Sequence, residues 1–238
     1  MAAAMADAAR DEWEIFDESV PFLGGIYGPQ KVRMAVVGLG GGRLLVITPG
    51  TPMTQERWSA LEKWGTPAFL LAPNHFHNMG VRAWVERYPN VRVAAHPTAL
   101  PRLKKRLPEI AWEDLTGLTE ALPKGMRLFS PPQAKQGETT LSLDTAHGRA
   151  WFVTDNLLNW DRFPKGPLGW MMYLVGFRAH LQTNPFFKRV FLTSKKEYKE
   201  WIRAELDRDP PALFVPSHGV VLRGPDVVER LWAATKDA

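Results

Sequence analysis

The side chains best able to do chemistry in this chain are few. Two histidines stand one residue apart in Ala-Pro-Asn-His75-Phe-His77-Asn-Met-Gly, Asp155 follows Phe-Val-Thr, and His218 sits in Val-Pro-Ser-His-Gly. Neutral imidazoles and a carboxylate are ligands for zinc or iron, and the same groups can pass protons. If the chain stays extended through residues 75–77, both imidazoles project to one side, because alternate residues of extended chain share a face. On a helix the same spacing would turn them roughly 200° apart. The competing reading is a pair of loop histidines with no metal. His96, before Pro97, reads as a structural histidine, and His147, in Thr-Ala-His-Gly, as an exposed and idle one. The chain has no cysteine, which removes disulfides, thiolate ligands and a cysteine nucleophile.

The elements that must position these residues follow from the hydrophobic pattern. Phe69 to Ala72 is a short apolar run stopped by Pro73, a strand whose end carries the two histidines. After Gly80 the spacing turns helical, with Val81, Trp84, Val85 and Tyr88 on one side. Upstream, strands are expected at Trp13–Phe16, Arg33–Leu39 and Arg43–Thr48, the last two forming a hairpin about Gly40-Gly41-Gly42, with PFLGGIYGPQ a turn-rich patch. The three glycines are no phosphate loop, since no Lys and Ser/Thr follow and a strand comes next. Thr54 can cap a helix bearing Trp58, Leu61 and Trp64, stopped at Gly65, and Val91–Ala95 is another strand. Strand and helix therefore alternate, the pattern of a layered α/β arrangement.

The second half repeats strands that end in polar residues. Thr139–Leu143 and Ala150–Thr154 are joined by a turn, and the latter runs directly into Asp155. That aspartate competes for a plainer role, as cap of a helix through Asn156–Trp160. A helix is expected over Lys195–Arg208, apolar at Tyr198, Trp201, Ile202 and Leu206. Leu213–Val215 is a strand stopped by Pro216-Ser217-His218, and a last helix presents Val227, Val228, Leu231 and Trp232.

With 238 residues, 45% hydrophobic and 23% charged, residues 11–238 are expected to form a single domain, with residues 1–10 a disordered tail. The net charge of +5 is spread along the chain. Its one cluster, Arg102, Lys104, Lys105 and Arg106, reads as a solvated helix face, and no nucleic-acid partner is expected. The first residues, MAAAMADAARDEW, lack the apolar core of a secretory signal, and a cytoplasmic protein is expected. The longest apolar stretch, Gly166 to Phe177, is too short to cross a bilayer. It reads as a buried or pocket-lining helix; contact with a membrane surface, with Lys188, Arg189, Lys195 and Lys196 nearby, is the lesser reading.

Taken in order, an early hairpin, a strand ending in His-x-His, a later strand ending in Asp and a last strand ending in Ser-His-Gly resemble the metallo-β-lactamase fold superfamily, over nearly the whole chain. The resemblance implies an α/β (α+β) fold, an αββα four-layer sandwich with metal ligands on loops at one edge of its paired sheets. PFLGGIYGPQKVRMAVVGL, ERW and APNHFHNMGV are most similar to its DUF4336-type branch. The family signature His-x-His-x-Asp-His continues to a further histidine, an aspartate after a strand and a late histidine. Here Met79 and Gly80 stand where the first Asp and second-site His would be, and the next histidine falls at about Ala134. The resemblance therefore keeps His75, His77, Asp155 and His218 as metal ligands, with Asp155 and His218 the catalytic pair. It implies at most one divalent cation, zinc or iron, because the second site retains only His218 and a share of Asp155. Two functions follow. One is a mononuclear hydrolase in which the cation lowers the pKa of bound water towards ~7, with Trp170 to Phe177 walling a site for an apolar small molecule. The other is a metal-free, non-catalytic ligand- or protein-binding module, with Asp155 and His218 bonded to one another.

Overall fold

A computed structural model of the chain describes residues 12–162 and 165–236; the tail expected over residues 1–10 lies outside them. The chain divides into two compact units, Met1–Lys124 and Gly125–Ala238.

The first unit is a seven-stranded sheet whose spatial order follows the chain. Strands β1 (Glu14–Asp17), β2 (Phe22–Tyr27), β3 (Val32–Gly40) and β4 (Arg43–Ile47) are antiparallel neighbours. Strands β5 (Thr66–Ala72), β6 (Arg92–Ala95) and β7 (Trp112–Glu113) then add in parallel. A parallel neighbour requires a crossover, and each is a helix: α1 (Gln55–Glu62), α2 (Val81–Arg87) and α3 (Leu100–Arg106), with α4 (Thr116–Ala121) after β7. Thr54 caps α1 as expected, its hydroxyl accepting the Arg57 N–H at 3.2 Å. Leu44 and Val46, and Leu70 and Ala72, alternate onto the face that buries Trp58, Leu61, Trp84 and Leu103. Trp58 and Trp84 meet edge to face at 4.6 Å, and the Trp84 indole donates to the Gly50 carbonyl at 2.8 Å.

β2 corrects the turn-rich reading of PFLGGIYGPQ. A Cβ on Gly24 would stand 2.7 Å from the Phe16 ring, and one on Gly25 2.8 Å from Trp13. These glycines let two aromatic rings of the neighbouring segment lie on the strand; they do not turn the chain.

The second unit contains β8 (Met126–Phe129), β9 (Thr140–Thr145), β10 (Gly148–Val153), β11 (Leu157–Asn159), α5 (Pro167–Leu174), β12 (Leu181–Thr183), a π-helical turn at Phe187–Phe191, α6 (Lys195–Arg208), β13 (Leu213–Pro216), β14 (Leu222–Arg223) and α7 (Val227–Ala234). Its main sheet runs β14-β13-β10-β9-β8, and β11 with β12 forms a separate ribbon. Only β10 and β13 are parallel, with Val153 opposite Pro216. α6 lays Tyr198, Ile202 and Leu206 into a core with Trp151, Phe214 and Leu231. Its C-cap Asp209 accepts from Ser142 at 2.5 Å and Arg149 Nε at 2.6 Å, tying the helix end to the strands.

Two expectations change here. Residues after Asp155 form β11 and not a helix, so Asp155 is no helix cap. The apolar stretch does form a helix, α5, but an exposed one: Trp170 keeps 68% of its surface and Leu174 60%. Apolar composition alone does not dictate burial.

Candidate metal centre

In the first unit, β5 delivers the histidines to a loop that is bent, not extended. The Asn74 side chain causes the bend, its Oδ1 accepting the N–H groups of Phe76 at 2.8 Å and His77 at 3.3 Å. Such a side chain mimics a turn of backbone. Asn78 donates back to the His75 carbonyl at 2.6 Å, closing the loop on itself. Both imidazoles are buried, His75 to 8% and His77 to 6% exposure.

The two rings meet different fates. His75 Nε2 lies 3.1 Å from Nη1 of Arg102 on α3. A guanidinium can only donate, so Nε2 is the accepting nitrogen and the proton sits on Nδ1. In that tautomer His75 Nε2 orients Arg102. All four basic residues of α3 are exposed, as a solvated helix face would be, and Arg102 in addition reaches His75.

The departures from the expected ligand set have local causes. Met79 is 60% exposed. At Gly80 a Cβ would fall 2.5 Å from the Pro49 carbonyl oxygen and 2.7 Å from Gly50 backbone, and the Gly80 N–H donates to that same Pro49 oxygen at 3.0 Å. No side chain fits there.

In the second unit the parallel pairing of β10 with β13 brings both strand ends to one edge. Asp155 and His218 leave that edge together, with Asp155 Oδ1 3.1 Å from His218 Nε2 and both side chains largely buried. The His218 loop is held by β11: the Asn159 N–H donates to the His218 carbonyl at 3.1 Å, and the Asn159 side chain to the Val220 carbonyl at 2.6 Å. Gly219, at φ +113°, lies so close to the Asn159 carbonyl that only glycine is accommodated.

Glu138 holds Asp155 in place, and sequence reasoning missed it. This carboxylate is fully buried and accepts three hydrogen bonds: from the Asp155 N–H at 2.8 Å, the Thr154 hydroxyl, and the Gln136 amide at 2.7 Å. Tyr198, also fully buried, faces its charge; burial first, and Glu138 second, push the phenol pKa up. The position aligned with the family's next histidine, Ala134, is buried in the apolar core and bridges to Leu192. The only signal for Glu138 was a lone charge in the β-branched stretch Gly-Glu-Thr-Thr-Leu. Asn184 grips Asp155 from the other side, donating to its carbonyl at 2.8 Å while accepting from Phe186 N at 2.9 Å. Asn184→Ala is expected to lower stability by about 1–2 kcal/mol, read as a shift in urea midpoint with unchanged slope.

The remaining histidines behave plainly. His147 is exposed on the β9–β10 turn. His96 Nδ1 accepts the Thr98 N–H at 3.2 Å, and burial lowers its pKa.

No family model matches the chain, and no curated protein matches it in sequence. Solved structures do. A metallo-β-lactamase from Erythrobacter litoralis is 16% identical, covering 95% of this chain and 96% of its own, with a TM-score of 0.59. A putative diflavin flavoprotein A 5 fragment from Nostoc sp. PCC 7120 is 11% identical, over 94% and 93%, at 0.59. The chemotaxis sensor ODP, described as a peroxy diiron species, is 12% identical over 94% and 93%, at 0.53. At such identities the likeness establishes architecture and not activity. Across nearly its full length the chain has the metallo-β-lactamase fold.

Proposed function

We propose that this protein is a metal-dependent hydrolase with one divalent cation, zinc or iron, which takes Asp155 and His218 among its ligands. The observation that supports it best is the Asp155–His218 pair, a carboxylate oxygen and an imidazole nitrogen 3.1 Å apart at the edge of one sheet. A carboxylate with imidazoles suits zinc or iron. When bound, the cation supplies a Lewis acid and a water acidified towards ~7. The chain's own part is positional. Glu138 and Asn184 fix the Asp155 backbone on both sides, Asn159 fixes the His218 loop, and Asp155 orients the His218 ring. Trp160 and Phe177, stacked at 5.3 Å, favour an apolar small-molecule substrate. The same reading makes the protein cytoplasmic and of the DUF4336-type branch.

The metal-free reading, a ligand- or protein-binding module, draws on the same pair, since Asp155 and His218 already satisfy one another. Metal content separates the two. Protein purified without chelator is expected to carry close to one zinc or iron per chain by mass spectrometry. Asp155→Ala and His218→Ala should lose it, whereas His147→Ala should keep it. Content near zero, even after incubation with zinc, iron and manganese in turn, would sink the hydrolase reading.

A further inference from the structure

α5 is an exposed apolar helix with a basic rim. Leu168, Trp170, Met171, Tyr173 and Leu174 each keep more than half of their surface in solvent, and only Gly169 of the helix is buried. Phe186 and Val190, around the π-helical turn, are exposed as well. A contiguous patch of this kind marks an interaction surface.

The sequence around it is basic. From residue 162 to residue 196 there are seven lysines and arginines and no aspartate or glutamate, while outside this stretch acidic residues outnumber basic ones. The positive excess is therefore carried by the stretch of chain that includes α5, although Arg162 pairs with Asp161 at 3.2 Å and Lys196 with Glu200 at 3.9 Å. Arg178 donates to the carbonyls of Tyr173 at 2.8 Å and Phe177 at 2.7 Å, and Arg189 donates to that of Val175. These bonds satisfy the C-terminal end of the helix and hold two cations at the edge of its apolar face. Next to that end opens a cavity of about 430 Å³ to which Gly176, His180, Lys188, Arg189 and Arg230 contribute. No carboxylate is among the described residues that line it; Arg230 on its wall pairs with Asp226 at 3.7 Å.

We propose that α5 docks this protein onto an anionic lipid surface, its apolar side chains entering the acyl boundary while the basic rim and cavity take lipid phosphates. Apolar insertion and basic attraction are the two signals that stable interfacial binding needs. A second copy of the chain fits worse, because it would bring an equally basic rim against the first. The inference does not depend on what the candidate metal centre holds.

Sedimentation of the full chain with vesicles tests it. Binding is expected to vesicles of phosphatidylcholine with about 30% phosphatidylserine, not to phosphatidylcholine alone, and to weaken as salt rises. Trp170→Ser with Leu174→Ser should abolish it, and Lys188→Glu with Arg189→Glu should weaken it about tenfold or more. Lys63→Glu, an exposed lysine of the first unit, should leave it unchanged. All these positions are at least partly exposed, and an unchanged thermal midpoint for each variant would confirm folding. Failure to sediment with either vesicle, or equal sedimentation with both, overturns the proposal. So does light scattering that finds a dimer which Trp170→Ser with Leu174→Ser dissociates, since a second copy would then cover the face.

Discussion

Replacing Glu138 by leucine is expected to destabilise the protein by about 3–5 kcal/mol. The carboxylate is fully buried and accepts from Gln136, Thr154 and Asp155. Leucine has similar bulk but no acceptor, so three buried donors would be left unmade at about 1–3 kcal/mol each, less whatever the site recovers by relaxation or by admitting water. That is a large share of the about 5–15 kcal/mol that holds a typical domain folded. Glu138→Gln should cost less, since its amide oxygen keeps one acceptor while its NH2 group faces a donor. Equilibrium denaturation gives the stability, and the amide resonance of Asp155 reports whether its N–H has lost its partner. A leucine variant within about 0.5 kcal/mol of the parent, the range of an ordinary surface change, would show that the carboxylate holds nothing. If the variant folds, its metal content should also fall, because Asp155 is no longer fixed.

The second large effect is expected at Gly80. Restoring the family residue with Gly80→His should not rebuild a second metal site but should destabilise the first unit by about 3–5 kcal/mol. The intruding Cβ would meet carbonyl groups of Pro49 and Gly50, which are backbone and cannot swing aside. Two hydrogen bonds hang on the same contact: Gly80 N–H to Pro49, and the Trp84 indole to Gly50. Gly80→Ala should show most of the loss, since the clash begins at Cβ. Met79→Asp, on an exposed side chain, should be nearly neutral. Thermal melts and metal analysis of the three variants decide it. A stable Gly80→His protein carrying two metals would mean that the missing ligand is an accident of sequence and not a demand of packing.

Much of this architecture could be read from the residues alone, for identifiable reasons. α1 was legible because Thr54 caps an apolar stripe at helical spacing, and α6 because Tyr198, Trp201, Ile202 and Leu206 recur at that spacing. The pairing of Asp155 with His218 was legible because both follow short apolar runs, and strands that prove to be parallel neighbours deliver their ends to one edge. β2 was hidden because its glycines serve ring packing from Phe16 and Trp13, which sequence spacing does not display. The tautomer of His75 depends on Arg102, 27 residues further on. Glu138 was invisible for a similar reason: a buried carboxylate is recognised by its donors, and two of its three lie 16 and 17 residues away. α5 shows the opposite failure, since hydrophobicity was taken for burial where the side chains face water.

That exposure has an optical consequence. Of ten tryptophans, Trp13, Trp58, Trp84, Trp112 and Trp151 are buried, Trp64, Trp160, Trp201 and Trp232 are half-buried, and Trp170 alone stands open to solvent. It lies in a cationic neighbourhood, so iodide should quench its red-shifted emission more efficiently than cesium does, while the blue-shifted emission of the interior indoles resists both. The protein thus carries its own fluorophore at the one face whose occupancy is in question, and shielding of that emission reports coverage without any attached label.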